Sequence, residues 1–357
     1  MTHLSVPDLQ ALFVNCTDHC NLACRHCIKA AGPSFRTAIA KDLLFAILDE
    51  FAELGGKVVI FTGGEPFLYP HLREALLRAG ELKLDSLILT NGTLLDEPWA
   101  RLLGGLKVRL HVSLEGPTAE TNDAVRGTGS FELAVRGARR LTEACVDWGV
   151  QTTVSSQNAE LLPDILRLAK ELGARNLAVA NMDRYGRAAT NHPELIPTRS
   201  QQRYIAEVVK RVADIGSLPV ESTYLQWLAL FENGRPPEPN GYLLRCGAGR
   251  VKCAITADGI MLPCLKFFQM PCGNVAREGF TAVWERSTVL RSLRQLAQTR
   301  TVEANATCAK CRFAPCCNGG CRAVVHNETG DLYGPDPICW QQSQCDLCLV
   351  ESHDQDQ

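Results

Sequence analysis

The chain has 357 residues, enough for one large domain and a smaller one. Hydrophobic residues make up 46% and charged residues 21%, an ordinary globular balance, and the net charge of -2 argues against nucleic acid or an anionic membrane as the main partner. No apolar run reaches the ~18 residues that span a bilayer, and the start, MTHLSVPDLQALFVNC, lacks the basic segment and long apolar run of a signal peptide, so a cytoplasmic location is expected.

In chain order, apolar runs alternate with amphipathic stretches between about residues 11 and 225. The runs are ALFVNC (11–16), KVVIFTGG (57–64), DSLILTNG (85–92), KVRLHVSLEG (107–116), GVQTTVSSQN (149–158) and ARNLAVANM (174–182). Most are rich in β-branched residues and end in Gly, Asn or Ser, as buried parallel strands do. Between them, KDLLFAILDEFAEL (41–54), HLREALLRAGEL (71–82), FELAVRGARRLTEAC (131–145) and LLPDILRLAKELG (161–173) place apolar residues at helical spacing. Strand then helix, repeated about six times, predicts a parallel α/β sheet. An open sheet and a partial barrel share this string, and in both, ligands gather at the C-terminal strand ends. ENGRPPEPNG (232–241) is dense in Pro and Gly and reads as a linker. It separates a first domain, 1–231, from a cysteine-rich second, 242–349, with a frayed tail at 350–357.

Seventeen cysteines, an odd number, do not suit disulfide stapling in a chain of this length. Four lie between positions 16 and 27, one stands alone at 145 and twelve lie between 246 and 348, a clustering that reads as metal ligation. Cys20, Cys24 and Cys27 directly follow the first strand. Three thiolates so spaced can wrap one 4Fe–4S cluster and leave its fourth iron open; a zinc site completed by His26 or His19 is the alternative. The second run ends Thr62-Gly63-Gly64-Glu65-Pro66. Its glycines permit close backbone approach to a ligand and Glu65 can accept from an ammonium, although a plain strand-ending turn has the same composition. Ser113 and Glu115 end the fourth run and alternate onto one side.

Together, C-x-x-x-C-x-x-C and Gly-Gly-Glu-Pro resemble the radical S-adenosylmethionine (SAM) superfamily. The resemblance implies a partial (β/α)6 parallel barrel. It implies an open cluster iron that binds the amino and carboxylate groups of SAM, and cleavage to a 5′-deoxyadenosyl radical that takes a hydrogen atom from the substrate. It also implies a SAM site: Gly63, Gly64, Glu65 and Pro66 toward the amino group, Ser113 and Glu115 toward the ribose, and Arg126 near the carboxylate. Asn91, Asn158 and Arg187 are further candidates.

Beyond the linker, Cys246, Cys264, Cys308, Cys311, Cys317, Cys321 and Cys339, with the run CNGGCRAVVHNETGDLYGPDPIC (317–339), resemble the SPASM domain, a cysteine-rich extension of many radical SAM enzymes. Two auxiliary 4Fe–4S clusters are implied. One would use Cys246, Cys264 and Cys321 with Cys253 as fourth ligand; the other Cys308, Cys311, Cys317 and Cys339. Such clusters tie distant segments into a domain with little apolar core; zinc ribbons are the alternative use of these thiols. Cys16 and Cys145 are expected as small buried hydrophobes. Cys316 is a candidate substitute for Cys317, Cys345 and Cys348 offer an alternative ligand, a redox pair or an ordinary tail, and Cys272 is a candidate hydrogen-atom donor. Some sulfatase-maturing relatives carry an Asp base immediately after the cysteine matching Cys264; here Leu265 and Lys266 follow, so a base must come from elsewhere.

The expected activity is that of an anaerobic radical SAM oxidoreductase. It would abstract a hydrogen atom from an unactivated carbon of a peptide or of a peptide-derived or cofactor precursor. The auxiliary clusters would accept the electron, and a flavodoxin or ferredoxin would serve as reductant. A sugar or aminocyclitol dehydrogenase or epimerase with a cysteine donor is one alternative. A non-enzymatic metal-stabilised or electron-carrier protein is another, against which residues 63–66 argue. Only about ten residues precede the first strand, against the roughly 80 of a fused leader-binding domain, so a separate recognition protein is expected for a peptide substrate.

Overall fold

The β-branched runs form strands β1 (Ala11–Thr17), β2 (Val58–Gly63), β3 (Asp85–Thr90), β4 (Val108–Ser113), β5 (Asp147–Val154) and β6 (Leu177–Asn181), each hydrogen-bonded in parallel to the next. The structure, a computed structural model, describes residues 8–233, 246–296, 305–311, 313, 317, 319–337 and 339. A strand absent from the sequence pattern, β7 (Val220–Ser222), pairs in parallel with β6; three residues are too few to show a period. Helices Lys41–Glu53, Leu72–Glu81, Ser130–Glu143 and Leu162–Glu171 match the amphipathic stretches. They cover one face of the sheet, where Leu12, Val14, Phe61, Leu110 and Val150 meet Leu44, Phe51 and Leu141 in one core. Burial of each large side chain there stabilises the fold by about 1.5–3 kcal/mol.

The cysteine-rich part is not detached from this sheet. β8 (Lys252–Ile255) pairs in parallel with β1, in register Leu12↔Cys253, and turns back through β9 (Ile260–Leu262) and β10 (Gly273–Asn274). The result is one ten-stranded sheet in the order β10-β9-β8-β1-β2-β3-β4-β5-β6-β7, parallel through its centre and not closed. β8 covers the free edge that β1 would otherwise present. The expected linker begins inside helix Thr223–Asn233, and its remaining positions, 234–241, lie outside the described residues, as does the tail at 350–357.

Cys16 is fully buried in the core, but Cys145 is exposed, contrary to the expectation of a buried hydrophobe. It follows helix Ser130–Glu143 in a left-handed turn (φ 54°). No helix among the described residues is long and apolar enough to cross a membrane.

Candidate functional site

β1 delivers the chain into the loop of Cys20, Cys24 and Cys27 at the C-terminal edge of the sheet. Cys20 is buried and the other two half-buried. The Cys20 N–H donates to Gly32 O at 3.2 Å and the Arg25 N–H to Val125 O at 2.8 Å. Arg187 donates its guanidinium to the carbonyls of Cys24, Ala30 and Ala31, and its backbone N–H to Cys27 O. Arg187 is a further candidate for the SAM site; its observed partners are the cysteine loop itself. A Cβ on Gly63 would fall 2.4 Å from Thr17 O, and one on Gly64 2.2 Å from His19 O. These glycines let β2 press against the start of the cysteine loop, a close approach within the protein.

The sulfurs face hydrogen-bond donors. The Leu22 N–H lies 3.4 Å from Cys20 Sγ, Asn91 Nδ2 3.8 Å from the same atom, and Arg126 Nη1 3.9 Å from Cys24 Sγ. Burial pushes the Cys20 thiol up to about 12 and raises Cys24 as well, the latter opposed by Arg126. Three thiols on one loop, ringed by donors to sulfur, fit an iron–sulfur cluster, which takes thiolates and is tuned by such donors. Among the described residues no three His, Cys, Asp or Glu side chains converge enough to hold a single ion. A cluster of four irons, wider than one ion, does not require that convergence.

Behind this loop lies a buried ion pair. Helix Ala119–Arg126, started by a Thr118–Thr121 capping box and ended at Gly127, carries Arg126 in its last turn. Arg126 Nη2 reaches Glu115 Oε1 at 2.6 Å and His26 Nε2 lies 3.2 Å from the same oxygen, while the Thr153 N–H donates to Oε2 at 2.8 Å. Burial alone would raise the pKa of Glu115, but Arg126 and then His26 outweigh it and hold it down to about 2. Glu115, expected at the ribose, is thus engaged with Arg126 and His26. Buried Arg126 Nε and His26 Nδ1 have no partner. Ser113 is half-buried at the end of β4.

Glu65 is the residue expected to accept from an ammonium. It is fully buried and accepts from the Phe67 N–H (3.1 Å), the Thr90 hydroxyl (2.7 Å) and the Asn91 N–H (2.8 Å). Burial raises its pKa to about 6, against the pull of these donors. With three of about four acceptor sites used, the carboxylate joins the ends of β2 and β3. Pro66 opens the single turn Pro66–Leu68 that Glu65 caps. Asn91 is also held by Asn21 (3.0 Å). Asn158 spends its amide on the Ser155 N–H and on the carbonyls of Glu115 and Thr153, stitching β4 to β5.

The C-terminal thiols divide into groups. Cys246, Cys264 and Cys321 share a small apolar cluster with Phe267 and Ala323, and the Lys266 N–H lies 3.4 Å from Cys264 Sγ. Burial and then nearby Cys311 push the Cys317 thiol up, and Asp336 links two cysteine-bearing loops by accepting from the Cys321 N–H (2.7 Å) while its carbonyl accepts from the Cys339 N–H (2.9 Å). Asn305 caps the turn that carries Cys308. Cys316, Cys345 and Cys348 lie outside the described residues.

Cys253 does not join the first trio. Its register partner is Leu12, and β8 turns it into the helix-covered core. Cys272 packs against that same core, donating to Met270 O at 3.7 Å, with its pKa pushed up to about 12 by burial. It is not among the residues that line the cavity described next. Cys253→Ala should leave the iron content unchanged and lower stability by about 1–2 kcal/mol. A loss of about four irons per chain would restore it as a ligand.

The cavity, about 560 Å³, opens between Phe13 of β1, the ends of β6 and β7, and the Cys246, Cys264 and Cys321 trio. Asp183, just past β6, pairs across it with Lys266 at 2.6 Å, and Arg184 pairs with Glu328 at 2.6 Å. Sequence reading missed Asp183; the rule that sites collect at strand ends was the available signal.

The Radical SAM superfamily model matches residues 14–169 and the SPASM iron–sulfur cluster-binding domain residues 246–312. The mycofactocin maturase MftC of Mycolicibacterium smegmatis is 32% identical over 328 residues, 90% of this chain and 80% of that one. The AdoMet-dependent heme synthase of Nitratidesulfovibrio vulgaris is 29% identical over 340 residues, 90% of each chain. Streptococcus suis SuiB bound to S-adenosylmethionine shares the fold, with a TM-score of 0.75 at 20% identity, covering 94% of this chain and 78% of that one. This chain therefore belongs to the radical SAM superfamily, in the branch that carries a SPASM domain, and its cofactors are S-adenosylmethionine and iron–sulfur clusters.

Proposed function

We propose that this enzyme is an oxidoreductase that takes a hydrogen atom from an unactivated carbon of a peptide or of a peptide-derived or cofactor precursor, and passes the remaining electron to an auxiliary cluster. The observation that carries this reading is the 560 Å³ cavity, a ligand-sized space walled on one side by strand ends and on the other by the thiols of Cys246, Cys264 and Cys321. When bound, SAM and its cluster supply the 5′-deoxyadenosyl radical.

The chain's own residues do the rest. Cys20, Cys24 and Cys27 hold the SAM-cleaving cluster. Cys246, Cys264 and Cys321 hold one auxiliary cluster, and Cys308, Cys311, Cys317 and Cys339 a second. The free Nε of Arg126 would be available to the SAM carboxylate, and Glu115 keeps that guanidinium charged and oriented. Ser113 meets the ribose. Glu65 holds the Gly63–Gly64 edge in place by tying it to β3. Asp183, positioned by Lys266, is the carboxylate placed to take the proton released on oxidation. A flavodoxin or ferredoxin supplies electrons.

Anaerobic reconstitution should yield about twelve irons per chain and 5′-deoxyadenosine from SAM with a strong reductant. Bound zinc with intact SAM would overturn the cluster assignment. Turnover of a sugar or cyclitol, with no peptide or precursor modified, would overturn the substrate assignment.

A further inference from the structure

β8 has two faces. Cys253 and Ile255 turn into the core with Leu12 and Val14, whereas Lys252 shares the side of its register partner Ala11 and of Phe13. Lys252 and Phe13 accordingly line the cavity together with Cys246, Cys264 and Cys321. Three cations line this space: Lys252, Lys266 and Arg184. Lys266 is matched by Asp183 and Arg184 by Glu328. Lys252 has no carboxylate partner among the described residues.

Its position is well defined. The Lys252 N–H donates to Gly247 O at 3.2 Å, and a Cβ on Gly247 would lie 3.4 Å from Lys252 Cε. The side-chain stem therefore packs on the residue that follows Cys246. The charge of Lys252 also acts on Cys264, where it opposes the upward push of burial and of Cys246 on the thiol. An unmatched cation beside three thiols calls for a negative partner, and a thiolate-bound cluster is one.

We propose that Lys252 is the fixed counter-charge of the auxiliary cluster bound by Cys246, Cys264 and Cys321, and that it raises the reduction potential of that cluster so that the substrate's electron is accepted. This rests on the ligand assignment made above. In the oxidation, the substrate radical loses one electron and one proton. Lys252 stabilises the site as it gains one negative charge, because a nearby positive charge in a partly dry cavity favours the more reduced state. The electron then leaves to a one-electron carrier of the flavodoxin or ferredoxin class, and the proton goes to Asp183. Lys252 acts through the cluster and is a positioning residue in this role.

The test uses the full-length reconstituted enzyme as wild type, Lys252→Met, Lys252→Arg and Cys264→Ala. Iron per chain is counted, and the cluster signals are followed by electron paramagnetic resonance during a redox titration. Lys252→Met should keep its iron while one auxiliary midpoint moves to more negative potential; Lys252→Arg should return it toward wild type. Cys264→Ala should remove that same signal. If Cys264→Ala removes no auxiliary signal, the ligand assignment is wrong. If it does, and Lys252→Met at full iron content leaves every midpoint in place or shifts only the SAM-cleaving cluster, the role given to Lys252 is wrong.

Discussion

Alanine at Cys20, Cys24 and Cys27 together should abolish SAM cleavage and remove about four of about twelve irons, with the C-terminal iron retained. These three thiols lie on one loop, fastened by Arg187 and by the close approach of Gly63 and Gly64. The C-terminal thiols sit on other loops, and the trio of Cys246, Cys264 and Cys321 has its own packing against Phe267 and Ala323. Loss of the first cluster is therefore expected to leave the others in place. Cleavage that persists in the triple variant would refute the assignment, and loss of all iron would refute the independence of the sites.

Arg126→Met should destabilise the protein by about 3–5 kcal/mol at neutral pH, because it strands the carboxylate of Glu115, which is 1% exposed. The pH dependence should change with it. In the wild type, Glu115 is held down to about 2 from an ordinary 4.5, so the stability it contributes is present above pH 4.5 and is lost as pH falls toward 2. That contribution is roughly 3 kcal/mol. Without Arg126 the burial penalty dominates, the carboxyl pKa rises above its unfolded value, and this site then stabilises more at low pH. Anaerobic unfolding followed from neutral pH down through 4.5 toward 2 reads both effects. Glu115→Gln in the same chain should recover part of the loss, because the neutral amide removes the buried charge. An Arg126→Met variant with wild-type stability and slope would show that the pair does not carry this load.

What was legible in the sequence was local. Cys20, Cys24 and Cys27 fall within eight residues, so their spacing alone brings three thiols to one loop. The β-branched runs and the amphipathic stretches between them announce strands and helices because pleat and helix periods are set by near neighbours. Tertiary structure decided whatever depended on pairing across the chain. Cys253 has the composition of a ligand, but the register of β8 on β1 turns it into the core and turns Lys252 toward the cavity. Glu65 has the spacing of a SAM-binding residue, and only the pairing of β2 with β3 brings Thr90 and Asn91 beside it to donate to its carboxylate. Asp183 and Lys266 meet across 83 positions. Two-residue periodicity sets which faces a strand has, but only its neighbour's register says which face looks at the site.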